Sequence, residues 1–376
     1  MDALPVKPFL DYPELVKTLT SRKMIIDDPL RAARKIEQIG YYHLSGYWHL
    51  ARKYSFNEKK EHVYEENFRD GTYFNKIFDL YLLDKNLRVE FFNAIERIEI
   101  FLRTVIAHEM GRLSPMCYSE KKYFDKKYLP KLSGPEDTYS VWYEDWSKKL
   151  LSKIDSSKEV FITDHVSKGK PIPIWVLVEI WDFGMLSKFY SMLKTSHQNT
   201  ICKRLDSIPA DVLENWLINI NTIRNRCAHH GRLFNNTNAR TLMIPKKGYF
   251  NLLNMNANAN YKIYGIICVV NYFLTKISSS SDWIVRVSEI VNSLPLIPGL
   301  NLTTMGFDKD TIEFPIEKFR KNIIAKNIEA EAEVENTAQQ LMDKLLELSP
   351  ANRKENSEFT DLLLILIEQV EEKISD

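Results

Sequence analysis

Tyr73 to Met110 reads YFNKIFDLYLLDKNLRVEFFNAIERIEIFLRTVIAHEM, without one glycine or proline. Ile77, Leu80, Tyr81, Asp84, Leu87 and Phe91 recur at helical spacing, and Ile95, Ile98, Leu102, Val105 and Ile106 continue it. The stretch predicts one long helix or two stacked ones. Glu96, Arg97, Glu99 and Arg103 lie within it at three- and four-residue steps, the pattern of surface pairs, although one of them could face a catalytic centre. The chain has only 12 glycines and 15 prolines and is rich in Leu, Ile, Lys and Glu. The predicted class is all-α.

Working outward, Lys7 to Arg52 reads as two short helices. Asp11-Tyr12-Pro13-Glu14 is a start signal for the first. Asp27-Asp28-Pro29 opens the second, which closes at Gly40. The aromatic run Tyr41-Tyr42-His43-Leu44-Ser45-Gly46-Tyr47-Trp48-His49 is either a platform for nucleobases or a packed joint between helices. Tyr54 to Thr72 is polar and charged and reads as a loop. Gly111 to Asp155, with Pro115, Pro130 and Pro135, reads as irregular. A basic loop, Lys168-Gly169-Lys170-Pro171-Ile172-Pro173, leads into a helix from Ile174 to Leu193, in which Gly184 permits a close contact or a bend. A further helix begins near Pro209, with Val212, Leu213, Trp216, Leu217, Ile220 and Ile223 as its buried stripe. Asn251 to Asn260 reads as a loop, and Tyr261 to Ser278 as another apolar helix. The expected division is 1–60, an N-terminal helical segment; 70–310, a helical core; and 311–376, an acidic helical tail whose apolar Phe359 to Ile367 suits docking.

The 376 residues, 44% hydrophobic and 27% charged, suit a globular protein with a real core. The segment Tyr261 to Ile277 is interrupted by Asn271 and too short for a bilayer. Met1 to Leu10 lacks the charged-then-apolar pattern of a secretory signal. Cys117, Cys202, Cys227 and Cys268 have no paired spacing and suit reduced thiols. These readings predict a cytoplasmic chain with no membrane partner. The net charge of +1 conceals an asymmetry, because Asn327 to Asp376 holds 13 acidic and 4 basic residues. The remaining 47 basic and 37 acidic residues form a mildly basic body compatible with a polyanion.

The densest chemistry lies where the Pro209 helix ends, at Ile223-Arg224-Asn225-Arg226-Cys227-Ala228-His229-His230-Gly231-Arg232-Leu233-Phe234-Asn235. Histidine titrates near neutrality and suits proton transfer. Arginine stays charged and grips phosphate oxygens bidentately. Arg224 and His229 could converge if the helix frays, with Asn225 orienting either side chain, and Gly231 is a plausible helix stop. Together these residues could cleave RNA through its own 2′-hydroxyl without a metal or other cofactor. The alternative is a C-terminal cap that compensates the helix dipole. A zinc site lacks a second ligand pair, and no glycine-rich phosphate loop is present.

The stretch Arg224 to Asn235 resembles the signature of the Abi-like (AbiD/AbiF-type) abortive infection proteins, which are placed in the HEPN superfamily of helical ribonucleases. Other blocks resemble the family in the right order: Ile39-Gly40-Tyr41-Tyr42-His43-Leu44-Ser45-Gly46-Tyr47-Trp48, Glu96-Arg97-Ile98-Glu99 with Leu102-Arg103, Pro173-Ile174-Trp175, Phe183-Gly184-Met185-Leu186-Ser187 and Met305-Gly306-Phe307. The resemblance covers residues 7 to about 310. It implies a HEPN-like antiparallel helical bundle with N-terminal helices and a C-terminal helical extension, acting as a homodimer. It implies a phage-defence toxin that cuts RNA to 2′,3′-cyclic phosphate and 5′-hydroxyl ends, in some members under a small non-coding RNA. Arg224 would stabilise the phosphorane, His229 or His230 would be base or acid, and Asn225 would be the polar neighbour. Arg226, Arg232, Asn235, Lys168, Lys170, Tyr47 and Trp48 complete the candidate RNA contacts. A non-catalytic RNA-binding module and a helical interaction protein are the rival readings.

Overall fold

The computed structural model describes residues 6–129, 142–278 and 280–320. The chain divides into two units, Met1–Ile316 and Glu317–Asp376. The first carries everything described below. The acidic tail, with the Phe359 to Ile367 stretch, and Pro130 and Pro135 lie outside the described residues.

The proline-free run is a single helix, α4, Phe74–Gly111. At 1.5 Å per residue it extends about 57 Å. Ile77, Leu80, Leu87, Phe91, Ile95, Ile98, Leu102 and Ile106 are all buried along it. Around this spine pack α3 (Tyr41–Trp48), α7 (Ile174–Leu177), α8 (Phe183–Met192), α9 (Thr195–Cys202), α10 (Ala210–Ala228), α12 (Ile263–Ile277) and α13 (Trp283–Asn292). The all-α expectation holds, with one small exception.

That exception is the stretch read as a loop. Arg52–Phe56 (β1) and His62–Phe68 (β2) form an antiparallel hairpin in which Tyr54 faces Tyr64 and Phe56 faces His62. Its charged residues hid a period-two placement of aromatic rings. Local signals located the N-terminal helices well. Asp11 and Glu14 form a reciprocal capping box on α1 (Tyr12–Ser21), and Asp28 caps α2 (Pro29–Ile39), which ends at Gly40. The aromatic run after Gly40 forms a third helix, α3.

Three further boundaries differ from expectation. The span Gly111 to Asp155 is not wholly irregular: Trp142–Ser156 is helix α5, followed by α6, Val160–Ser167. The predicted helix Ile174 to Leu193 breaks at Trp181, whose backbone is extended. Asp182 then caps the new helix α8, accepting from the Met185 N–H at 2.8 Å. The apolar stripe runs through the break, so periodicity alone could not show it. The asparagine-rich stretch is also not all loop, because Ala257–Tyr261 forms a 3-10 turn and Tyr249–Leu253 a short helix, α11.

Candidate active site

Helix α10 presents the motif. Val212, Leu213, Trp216, Leu217, Ile220 and Ile223 are buried, and the Trp216 indole N–H donates to the Met243 carbonyl at 2.8 Å. This anchored face leaves the polar side of the last two turns free to carry chemistry.

The helix does not fray. It stays helical through Ala228 and closes with the left-handed cap common at helix C-termini. The His230 N–H donates to the Cys227 carbonyl (3.2 Å) and the Gly231 N–H to the Arg226 carbonyl (2.7 Å). The residue in the left-handed position is His230, at φ 58°, and not the glycine after it. Gly231 therefore does not stop the helix by its conformation. A β-carbon-bearing residue held there carries backbone strain, a feature that collects at functional sites. His229 and His230 are both exposed.

With the helix intact, Arg224 and His229 point about 140° apart around its axis. The expected convergence by fraying does not occur. Asn225 is exposed and makes no side-chain hydrogen bond among the described residues, so it orients neither partner in this chain.

Arg224 sits half-buried beside the break between α7 and α8. It forms no hydrogen bond or ion pair among the described residues, yet it acts on two carboxyls. Burial pushes the Glu99 carboxyl up, while Arg103 and then Arg224 oppose that rise. Burial works against ionising Asp182 too, but the Met185 N–H, Lys153 and Arg224 outweigh it and hold the carboxyl below its ordinary range. Arg103 pairs with Glu99 and donates to the Trp181 carbonyl, which ties α4 to the break. Lys153 of α5 reaches Asp182 at 3.2 Å. Arg224 thus belongs to a cluster of three cations and two anions contributed by α4, α5, α8 and α10. Beside it lies an open cavity of about 420 Å³ lined by Lys149, Lys153, Lys188, Asp182 and Gly184. Of the four charged residues singled out in the long helix, Glu99 and Arg103 turn towards this cluster. Their spacing matched the bland surface pattern, so only the fold identifies them.

The loop after the motif is pinned by a residue that the sequence showed only as part of a stripe. Asp84 is fully buried. It accepts from Tyr47 Oη (2.8 Å), from the Leu233 N–H (3.2 Å) and the Phe234 N–H (2.7 Å), and pairs with Arg88. Burial raises its affinity for a proton, but every group touching it is a donor and Arg88 supplies the countercharge. The site therefore holds the carboxylate. His43 stands nearby and feels both Arg88 and His230; burial first, and these charges second, lower its pKa, with Asp84 opposing.

The other candidates are redistributed by these contacts. Tyr47 and Trp48 are 2% and 4% exposed, so they do not form a surface for stacking bases; the packed-joint reading is the correct one. Arg226 donates twice to the Thr237 carbonyl at 3.1 Å and braces the loop. Arg232 donates to the Gly46 carbonyl, where a glycine lets the guanidinium lie within 3.5 Å of the missing β-carbon position. Asn235 takes a left-handed turn (φ 51°) and accepts from Lys262 Nζ at 3.2 Å. Lys168 is paired with Asp164, and Lys170 is exposed on the same loop; neither bonds to the motif. Among the described residues, no three His, Cys, Asp or Glu side chains stand together so as to hold a metal ion. No helix among them is long and apolar enough to cross a membrane.

These features define a helical protein in which an Arg-x4-His motif, with a half-buried arginine and exposed histidines, closes a helix packed on the core. The profile of the Abi-like protein family matches residues 34–235, which runs from α2 through the end of the motif loop. The chain belongs to that family, and membership supports a role in abortive infection, the phage-defence response. No curated protein and no solved structure matches the chain.

Proposed function

We propose that this chain is the effector of its defence role as a metal-independent endoribonuclease that acts as a homodimer. The observation that carries the reading is an unbonded Arg224, facing the charges of Glu99 and Asp182, on the same helix that ends in two exposed histidines. A histidine takes the proton from a ribose 2′-hydroxyl, whose oxygen forms a new bond to the adjacent phosphorus. Arg224 compensates the charge that builds on the phosphoryl oxygens. The bond to the 5′-oxygen breaks, and an imidazolium donates the proton that the leaving oxygen needs. The products are a 2′,3′-cyclic phosphate and a 5′-hydroxyl. Because Arg224 and His229 diverge around α10, the arginine of one copy is proposed to work with the histidine of the other.

The test is RNA cleavage and growth arrest by the wild type, Arg224→Ala and His229→Ala, each checked for folding by circular dichroism. Loss of a proton-transfer group should slow cleavage by roughly 10²–10⁴-fold. Cleavage that EDTA abolishes, or toxicity that survives both substitutions, would defeat the proposal. Strong salt-dependent RNA binding without cleavage would favour a non-catalytic RNA-binding module.

A further inference from the structure

The hairpin carries a ladder of aromatic rings. Tyr54 stacks on His62 (ring centroids 4.1 Å, planes 19° apart), and Phe56 meets His62 at 4.9 Å. Tyr54 also lies 5.9 Å from Tyr64, which in turn lies 4.1 Å from His49. Strand alternation puts Tyr54 and Phe56 on one face, the pairing with Tyr64 and His62 completes it, and the register shifts between Tyr54 and Arg52. The outer end is open: Phe56 is 62% exposed and His62 is exposed. A ring as exposed as Phe56 on a two-stranded ribbon is not part of the core.

The inner end of the ladder enters a field of positive charge. The Arg69 guanidinium lies over the Tyr54 ring at 4.9 Å. Burial, then Arg52 and Arg232, lower the pKa of His49, and burial followed by Arg232 does the same to Lys262. Arg232 belongs to the loop that directly follows the motif. A strand with stacked bases and a charged backbone would find rings at the outer end and cations at the inner end, beside the loop that follows the motif.

We propose that the Tyr54, Phe56, His62 and Tyr64 face is a docking surface for the bases of single-stranded RNA, with Arg52, Arg69 and Arg232 meeting its phosphates. This rests on the ribonuclease reading above. It takes the place of the Tyr47 and Trp48 platform expected from sequence. Duplex RNA would not use it, because paired bases do not offer their faces to a protein ring.

The experiment uses the full chain and a short 2′-O-methylated single strand, which lacks the attacking hydroxyl and so survives binding. Fluorescence anisotropy over a salt series compares the wild type with Phe56→Ala/His62→Ala. Base stacking lost at exposed rings should weaken binding by roughly five- to a hundredfold. The slope of log affinity against log salt should not change, because no phosphate contact is removed. A 4-thiouridine in the same strand should crosslink the unaltered protein within the tryptic peptides 54–59 and 61–69. If affinity is unchanged and crosslinks fall elsewhere, the hairpin assignment is overturned while the ribonuclease reading stands. Equal binding of the duplex, with an equal loss in the double variant, would also overturn it. If the wild type binds neither form, the RNA reading falls together with this one.

Discussion

Replacing Asp84 should test whether one buried carboxylate holds the motif loop in place. Asp84→Ala removes the acceptor for Tyr47 Oη, for Arg88 and for the N–H groups of Leu233 and Phe234. Arg88 is 6% exposed and would be left without its counterion. Breaking a buried ion pair from one side costs about 3–5 kcal/mol. Each orphaned amide adds about 1–3 kcal/mol, but water entering the vacated space can satisfy part of that demand. The expected loss is therefore about 4 kcal/mol, close to the ion-pair cost alone. Urea denaturation followed by circular dichroism reads it as a lower midpoint at constant slope. Asp84→Leu/Arg88→Met removes both charges and should be less damaging than Asp84→Ala, since no buried guanidinium is stranded. A loss under about 1 kcal/mol for Asp84→Ala would refute the reasoning, because water alone would then satisfy the arginine. So would a double variant as unstable as the sum of its singles.

Two predictions follow from the histidines. A left-handed backbone costs a residue with a β-carbon about 1–2 kcal/mol, against about 0.4–1 kcal/mol of extra unfolded-state entropy for glycine. His230→Gly should therefore stabilise the fold by roughly 0.5–1 kcal/mol, read as a raised melting temperature; its cleavage rate then shows whether His230 or His229 moves the proton. The pKa values of His43, His49 and His197 are all lowered, with burial as the first cause. As pH falls through about 6.5 the unfolded chain takes up protons before the folded one. Stability should thus be highest above that pH and decline below it, and His43→Gln should reduce the decline; a melting temperature flat from pH 7.5 to about 5 would contradict this.

What could be read in the sequence follows the range of the interactions involved. Helix α4 and the caps at Asp11, Asp28 and Gly40 depend on residues within a few positions of one another, and periodicity and capping chemistry located them. The break at Asp182 failed because Trp181 and Phe183 are both apolar, so the stripe continued where the backbone did not. The hairpin failed because Glu58, Lys59, Lys60 and Glu61 dominate its turn and mask the alternation of Tyr54, Phe56, His62 and Tyr64. The Arg–His motif was legible as chemistry but not as geometry. Its supports, Asp84 and Glu99, come from α4 far back in the chain. Asp84 sat among apolar positions, and nothing local announces that it accepts from backbone 150 residues away.

Those two supports also bear on how the motif is used. Arg224 faces the Glu99 charge, Asp84 pins Leu233 and Phe234 beyond the helix end, and the unfrayed α10 sets Arg224 and His229 about 140° apart. Under the dimer proposal, the arginine of one chain meets the phosphate together with His229 of a second copy. Mixing Arg224→Ala chains with His229→Ala chains would then restore activity that neither variant has alone. Each mixed dimer contains one intact arginine–histidine pairing of its two, and random exchange makes half the dimers mixed. The expected recovery is about a quarter of the wild-type rate. No recovery from chains shown by light scattering to exchange subunits would place the working arginine and histidine in the same chain, and would require α10 to open at Ala228 when RNA binds.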